Sequence, residues 1–142
     1  MKDSRDASPV EIEYYRLNIE EKERLLKSLV GRLENMEGVV FAYVYGSFIE
    51  MDAFRDVDVA VWIENPGDAF SYEVDLSARL EADLKKPIDI HVLNRSPLPF
   101  RQEIFTGGRL LFSKDEERRI RLIDETLRQY ADVRMLNATA SR

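Results

Sequence analysis

The run Asp56-Val57-Asp58-Val59-Ala60-Val61 has residue types at a spacing that can do chemistry. Side chains alternate along a strand, so Asp56 and Asp58 share one face while Val57, Val59 and Val61 take the other. The two carboxylates then lie about 7 Å apart along the strand, at about 3.3 Å per residue. From there they can converge on one metal ion, or on two shared ions, at the strand end. Magnesium suits such a place, because it takes one or two carboxylates and completes its shell with water and phosphate oxygens. A third acid, Asp89, stands between Ile88 and Ile90 in another apolar run. A strand with one wet face can carry two aspartates for solubility alone. Aspartate is nonetheless depleted in strands, and a buried carboxylate without a partner is costly enough that a cation is the natural compensation.

Gly46-Ser47 closes the apolar run Val39–Tyr45. A glycine there, with a small hydroxyl residue opening a short helix, leaves backbone N–H groups and a hydroxyl for phosphate. A Gly-Ser pair alone is an ordinary turn. Followed by D-x-D in one strand and an aspartate in another, it becomes a constellation for a nucleoside triphosphate with its metal. Less weight falls on the neighbours. His91 shares a strand face with Asp89 and reads first as a packed or edge residue. Arg55 and Arg95 read as surface charges, and Trp62 as a ring packed against a helix. Lys85-Lys86 answer the dipole at a helix C-terminus.

Strands and helices must alternate to position these groups. Strands are expected over 39–45, 57–63, 88–93 and 109–112, with a turn at Asn65-Pro66-Gly67-Asp68. Leu26, Leu29, Val30, Leu33 and Met36 recur at helical spacing, and Gly38 ends that run. Upstream, Ser8-Pro9-Val10-Glu11 has the form of a capping box. A second cap at Asn18-Ile19-Glu20-Glu21 predicts a break in the helix there. From Phe70 to Leu84 the apolar residues alternate strictly, yet a strand of that length would be unusual. The Leu, Ala, Glu, Lys and Arg content favours a helix ended by Pro87. Ser96-Pro97 opens a short helix that stops at Gly107-Gly108. Ser113-Lys114-Asp115-Glu116 reads as the capping box of a last helix, whose stripe of Ile120, Ile123, Leu127, Tyr130 and Ala131 is expected against the chain's own sheet. The whole reads as an α/β (α+β) fold with one mixed β-sheet of about four strands flanked by helices. It is expected to be one domain over 1–142, with a core of 25–130, an N-terminal helical extension over 9–24 and a frayed tail over 137–142.

Composition excludes several classes. With no cysteine there are no disulfides, zinc–thiolate sites or thiol chemistry. The start MKDSRDASPVEIEYY lacks an apolar signal core and no long apolar run follows, so a cytoplasmic protein without a membrane partner is expected. A net charge of −6 disfavours direct nucleic-acid binding, which needs a basic surface, but permits a nucleotide whose charge is met by metal ions.

Val44-Tyr45-Gly46-Ser47-Phe48 followed by Arg55-Asp56-Val57-Asp58-Val59-Ala60-Val61 resembles the minimal nucleotidyltransferases, the MNT antitoxin group of the DNA polymerase β-like superfamily. Pro87-Ile88-Asp89-Ile90-His91-Val92-Leu93-Asn94 is similar to that family's third-carboxylate strand. Pro97-Leu98-Pro99-Phe100 and Gly107-Gly108-Arg109-Leu110-Leu111-Phe112 are similar to its C-terminal section. The likeness runs from Leu25 to Tyr130, with one departure: the eight residues between Ser47 and Asp56 make a shorter connection than the family's familiar one. The resemblance implies the nucleotidyltransferase fold, two Mg²⁺ ions held by Asp56, Asp58 and Asp89, and ATP phosphates held at Gly46 and Ser47. It also implies transfer of AMP to a hydroxyl of a partner protein, with Asp89 helping to deprotonate that hydroxyl. The implied partner is the HEPN-domain toxin of a toxin–antitoxin pair. Two other readings stand beside it: a non-catalytic module that neutralises its partner by binding, and an adenylyltransferase acting on a small molecule. Either is compatible with a homo-oligomer. A D-x-D phosphatase or glycosyltransferase would need a longer chain and would leave Gly46-Ser47 and Asp89 without roles.

Overall fold

The computed structural model describes residues 12–140. A two-residue strand, β1 (Tyr15–Arg16), precedes helix α1 (Ile19–Glu34), strand β2 (Val39–Tyr45) and one turn of helix, α2 (Ser47–Glu50). There follow β3 (Ala53–Phe54), β4 (Val57–Ile63), α3 (Ser77–Leu84), β5 (Ile88–Val92), α4 (Leu98–Gly107), β6 (Arg109–Ser113) and α5 (Glu116–Ala140). The main sheet has the order β5–β4–β2–β6; β4 and β5 run parallel and the other neighbours antiparallel. β1 and β3 form a separate antiparallel pair.

β2 is apolar throughout because both faces of the sheet are covered along it. On one face, Ala42 and Val44 join Val57, Val59 and Val61 of β4 and Ile88, Ile90 and Val92 of β5. These pack on Leu26, Leu29 and Leu33 of α1 and on Leu76 and Leu80. On the other face, Phe41, Tyr43 and Ala60 pack with Leu93 and with Ile104 of α4, and Trp62, Phe105 and Leu122 close around them. Leu33 is fully buried at the centre of the first layer. Leu33→Ala should therefore cost about 2–5 kcal/mol, read as a lowered midpoint in guanidinium denaturation with little change in slope.

The expected cap at Ser8 lies outside the described residues. Within them the expected helical extension is corrected: residues 12–18 are not helical, Tyr15–Arg16 pairs with β3, and only the cap expected at Asn18 is present. Asn18 Oδ1 accepts from Glu21 N at 2.8 Å and Glu21 Oε1 accepts from Asn18 N at 3.0 Å, so α1 starts at Ile19. The alternating stretch 70–84 is helical, through a π-helical turn over Ser71–Leu76 that runs into α3. Strict alternation also places residues four apart on one helical face. Leu76 and Leu80 are buried, Tyr72 and Leu84 half-buried, and Phe70, Val74, Ala78 and Ala82 exposed. The widened turn also lets two side chains reach β5. Ser77 Oγ accepts from Ile90 N at 3.1 Å and Glu73 Oε2 from Val92 N at 3.3 Å, on the outer edge of the sheet.

Two expectations are corrected at the C-terminal end. Ser113 is the last residue of β6, and the cap of α5 is Asp115, whose Oδ1 accepts from Arg118 N at 3.1 Å. The apolar stripe of α5 is only partly covered: Ile123 and Tyr130 are half-buried, whereas Ile120 is 57% and Leu127 39% exposed. The helix also turns Leu122, buried Thr126 and Arg119 inward, with Arg119 Nη1 donating to Tyr43 Oη at 2.6 Å. α5 remains helical as far as Ala140, through most of the expected frayed tail.

Candidate active site

β2 must end in a turn tight enough to bring its last residues over β4. Gly46 makes that turn with φ 79° and ψ −156°, a conformation that only glycine adopts without strain. A Cβ at this position would stand 2.8 Å from Asp58 Oδ2, so the missing side chain also admits the Asp58 carboxylate. Ser47 opens α2, and its carbonyl accepts from Met51 N.

Strand register assembles the acids. Tyr45 of β2 lies opposite Asp58 of β4, and Asp58 lies opposite Asp89 of β5, so the three form one row across the sheet. Asp56 stands just before β4, close enough for its charge to bear on the Asp58 carboxyl. The structure thus brings Asp56, Asp58 and Asp89 together beside Gly46 and Ser47. It adds His91, which sequence reasoning left as a packed or edge residue. Oxygens of Asp58 and Asp89 and a ring nitrogen of His91 all lie within 4.8 Å of one another, and His91 Nε2 is 3.1 Å from Asp89 Oδ2. The signal was in the sequence: residues two apart on a strand share a face. Arg55 and Arg95 are exposed, as expected of surface charges. Trp62 stacks on Phe41 at 6.1 Å and 18°, packed as expected.

Burial pushes the Asp58 carboxyl up to about 7, helped by the charges of Asp56 and Asp89 and opposed by His91. Burial, together with Asp58, Asp89 and Asp56, also raises the Tyr45 hydroxyl well above its ordinary range. A carboxyl crowded in this way is only partly ionised near neutral pH, and a cation that joins it favours the ionised form. Carboxylate oxygens on adjoining strands are the donors a hard divalent ion takes, so the residues fit such an ion. Asp58 titrates near 3.9 in an unfolded chain. Between that value and about 7 the folded, metal-free chain keeps a proton that the unfolded chain has released, so its stability falls as pH rises through this window. Because Asp58 is half-buried, screening limits the loss to on the order of 2 kcal/mol. Denaturation in EDTA should show Asp58→Asn gaining stability over the unaltered chain at pH 8 and not at pH 4. An equal difference at both pH values would show that Asp58 is not raised.

A hollow of about 410 Å³ lies between α1 and β6 and is lined by residues such as Arg24, Lys27 and Leu110 rather than by the carboxylates. A smaller one of about 80 Å³ adjoins the site at Tyr45, Gly46, Glu103 and Gly108. The site itself is an open row of charge on a sheet, suited to a divalent ion and a phosphate ligand from solvent.

A glycine-serine turn facing carboxylates on two adjoining strands is the apparatus of an enzyme class that handles phosphates through metal ions. The chain belongs to the polymerase beta nucleotidyltransferase family, whose profile, described as "Polymerase beta, Nucleotidyltransferase", matches residues 27–117 and so spans the whole site. Similar solved structures bear out the expected fold. One is a tri-AMPylated Shewanella oneidensis HEPN toxin in complex with MNT antitoxin, at 18% identity and TM-score 0.68 over 84% of this chain and 94% of the other. A second is the toxin–antitoxin MntA-HepT, at 17% identity and TM-score 0.66 over 83% and 94%. A third is a toxin–antitoxin with AMP-PNP, at 20% identity and TM-score 0.64 over 87% and 95%. Among curated proteins none matches the chain.

Proposed function

We propose that this chain transfers AMP from ATP to a hydroxyl of a HEPN-domain partner protein and thereby acts as the antitoxin of that pair. The observation that carries the reading is the row Asp58–Asp89, with Asp56 beside it and Gly46 against Asp58. Support for the partner and the nucleotide comes from the similar structures, one holding an AMPylated HEPN toxin and another AMP-PNP.

Asp56, Asp58 and Asp89 would hold Mg²⁺, two ions in the family's manner. When bound, the ions supply charge neutralisation of the triphosphate and of the attacking and leaving oxygens. The chain's own groups do the rest. Gly46, lacking a side chain, lets the backbone and Ser47 approach the β- and γ-phosphates. Asp56 and Asp58 would hold the triphosphate only through the cation they bind, whose charge offsets their own repulsion of it. Asp89 faces the acceptor and takes the proton of its hydroxyl as the new oxygen–phosphorus bond forms at the α-phosphorus. The bond from the α-phosphorus to its bridging oxygen breaks, and pyrophosphate leaves. Positioning and charge neutralisation account for most of the rate. Among the described residues no helix is long and apolar enough to cross a membrane, and we place the activity in the cytoplasm.

The test incubates the chain with its HEPN-domain partner, Mg²⁺ and α-labelled ATP, and follows label and intact mass. AMP on the partner establishes the reading. No label from a pair that still binds would leave neutralisation by complex formation. That second reading has its own support in the exposed Ile120, Leu127, Val133, Met135 and Leu136 of α5.

A further inference from the structure

Asp89 lies inside β5, and its side chain is half-exposed. An aspartate so placed can rotate, and each orientation offers a different oxygen to its neighbours. One contact holds it, the 3.1 Å hydrogen bond between His91 Nε2 and Asp89 Oδ2. An ionised carboxylate only accepts, so Nε2 is the donor and carries the proton.

The imidazole is itself held. It lies opposite Ala60 of β4. Its centroid is 6.2 Å from that of Tyr45 and 5.8 Å from that of Phe100, and those two rings are 5.6 Å apart, edge to face. Three rings in mutual contact leave the imidazole little freedom, and its donor points at one oxygen.

We propose that His91 is a positioning residue: its Nε2–H fixes Asp89 Oδ2, so that Asp89 meets the cation and the acceptor hydroxyl in one orientation. The inference rests on the proposed carboxylate site and assigns a partner that orients one of its members. Groups that orient a metal-binding carboxylate typically change affinity or activity by about 10–100-fold when removed.

Two substitutions separate the hydrogen bond from the packing. His91→Phe keeps a ring between Tyr45 and Phe100 and loses the donor; His91→Gln keeps an amide donor near the Nε2 position and loses the ring. The probe is Mn²⁺, followed by electron paramagnetic resonance without nucleotide, with thermal melts to establish that both variants fold. The expected result is Mn²⁺ binding about 10-fold weaker or worse in His91→Phe, and within about threefold of the unaltered chain in His91→Gln. Transfer should then fall through kcat in His91→Phe, with KM for ATP little changed. Undiminished binding by His91→Phe overturns the proposal, as does equal weakening in both folded variants. A directly coordinated imidazole nitrogen in the pulsed spectrum overturns it too, because His91 would then be a ligand. Failure of the unaltered chain to bind Mn²⁺ overturns the carboxylate site itself, and this inference with it.

Discussion

Asp58→Asn should lower AMP transfer by about a thousandfold or more while leaving the fold intact. Asp58 is the middle member of the acidic group, with Asp89 across the sheet and the charge of Asp56 beside it. An asparagine keeps the shape and presents one neutral oxygen in place of a charged pair. Metal affinity and triphosphate positioning are then lost together, and these are interactions the reaction uses at its transition state. The same substitution removes a carboxyl whose burial among like charges is unfavourable without a cation, so lost activity should accompany gained stability at pH 8. Single-turnover rates with α-labelled ATP and saturating Mg²⁺ decide the matter. A variant within about tenfold of the parent would show that the chemistry does not depend on this row.

Gly46→Ala is expected to lower transfer by about a hundredfold or more through geometry alone. Two costs fall on one methyl group. Alanine at φ 79° and ψ −156° is strained by about 1–3 kcal/mol. Its Cβ would also sit 2.8 Å from Asp58 Oδ2, so the carboxylate must swing aside. A displacement of that kind matters most where a reacting phosphate has to meet a fixed set of oxygens. Melting curves should show the strain and transfer assays the displaced carboxylate. Full activity in a destabilised Gly46→Ala chain would mean that the turn serves the fold and not the site.

Much of the site was legible because aspartate is out of place in a strand and because strand alternation has a fixed period. Asp58 and Asp89 stand out for both reasons, and Asp56 by its place two residues before Asp58, at the mouth of β4. Which strands neighbour one another was less legible, since no pattern within β4 or β5 says that Asp58 will face Asp89. His91 shows where the reading stopped: its face could be read, whereas the direction of its ring depends on Tyr45 and Phe100 in two other parts of the chain. The stretch 70–84 satisfied two periods at once, and composition chose correctly between them. In α5 the pattern was right in part: Ile123 and Tyr130 are half-buried on the side anchored by Thr126 and by the Arg119–Tyr43 bond, while Ile120 and Leu127 face outward. A helix held by polar anchors does not announce its inner face through hydrophobicity alone.

The two side chains that close the outer edge of β5 have a consequence for how the protein behaves among its own copies. An edge strand with open N–H groups is a template on which another chain can grow, and it is a common start of aggregation. Glu73 and Ser77 occupy the N–H groups of Val92 and Ile90, on the strand that carries Asp89. Foreign strands are thereby denied a foothold beside the carboxylates, so the open face needed for a protein acceptor coexists with resistance to self-templating.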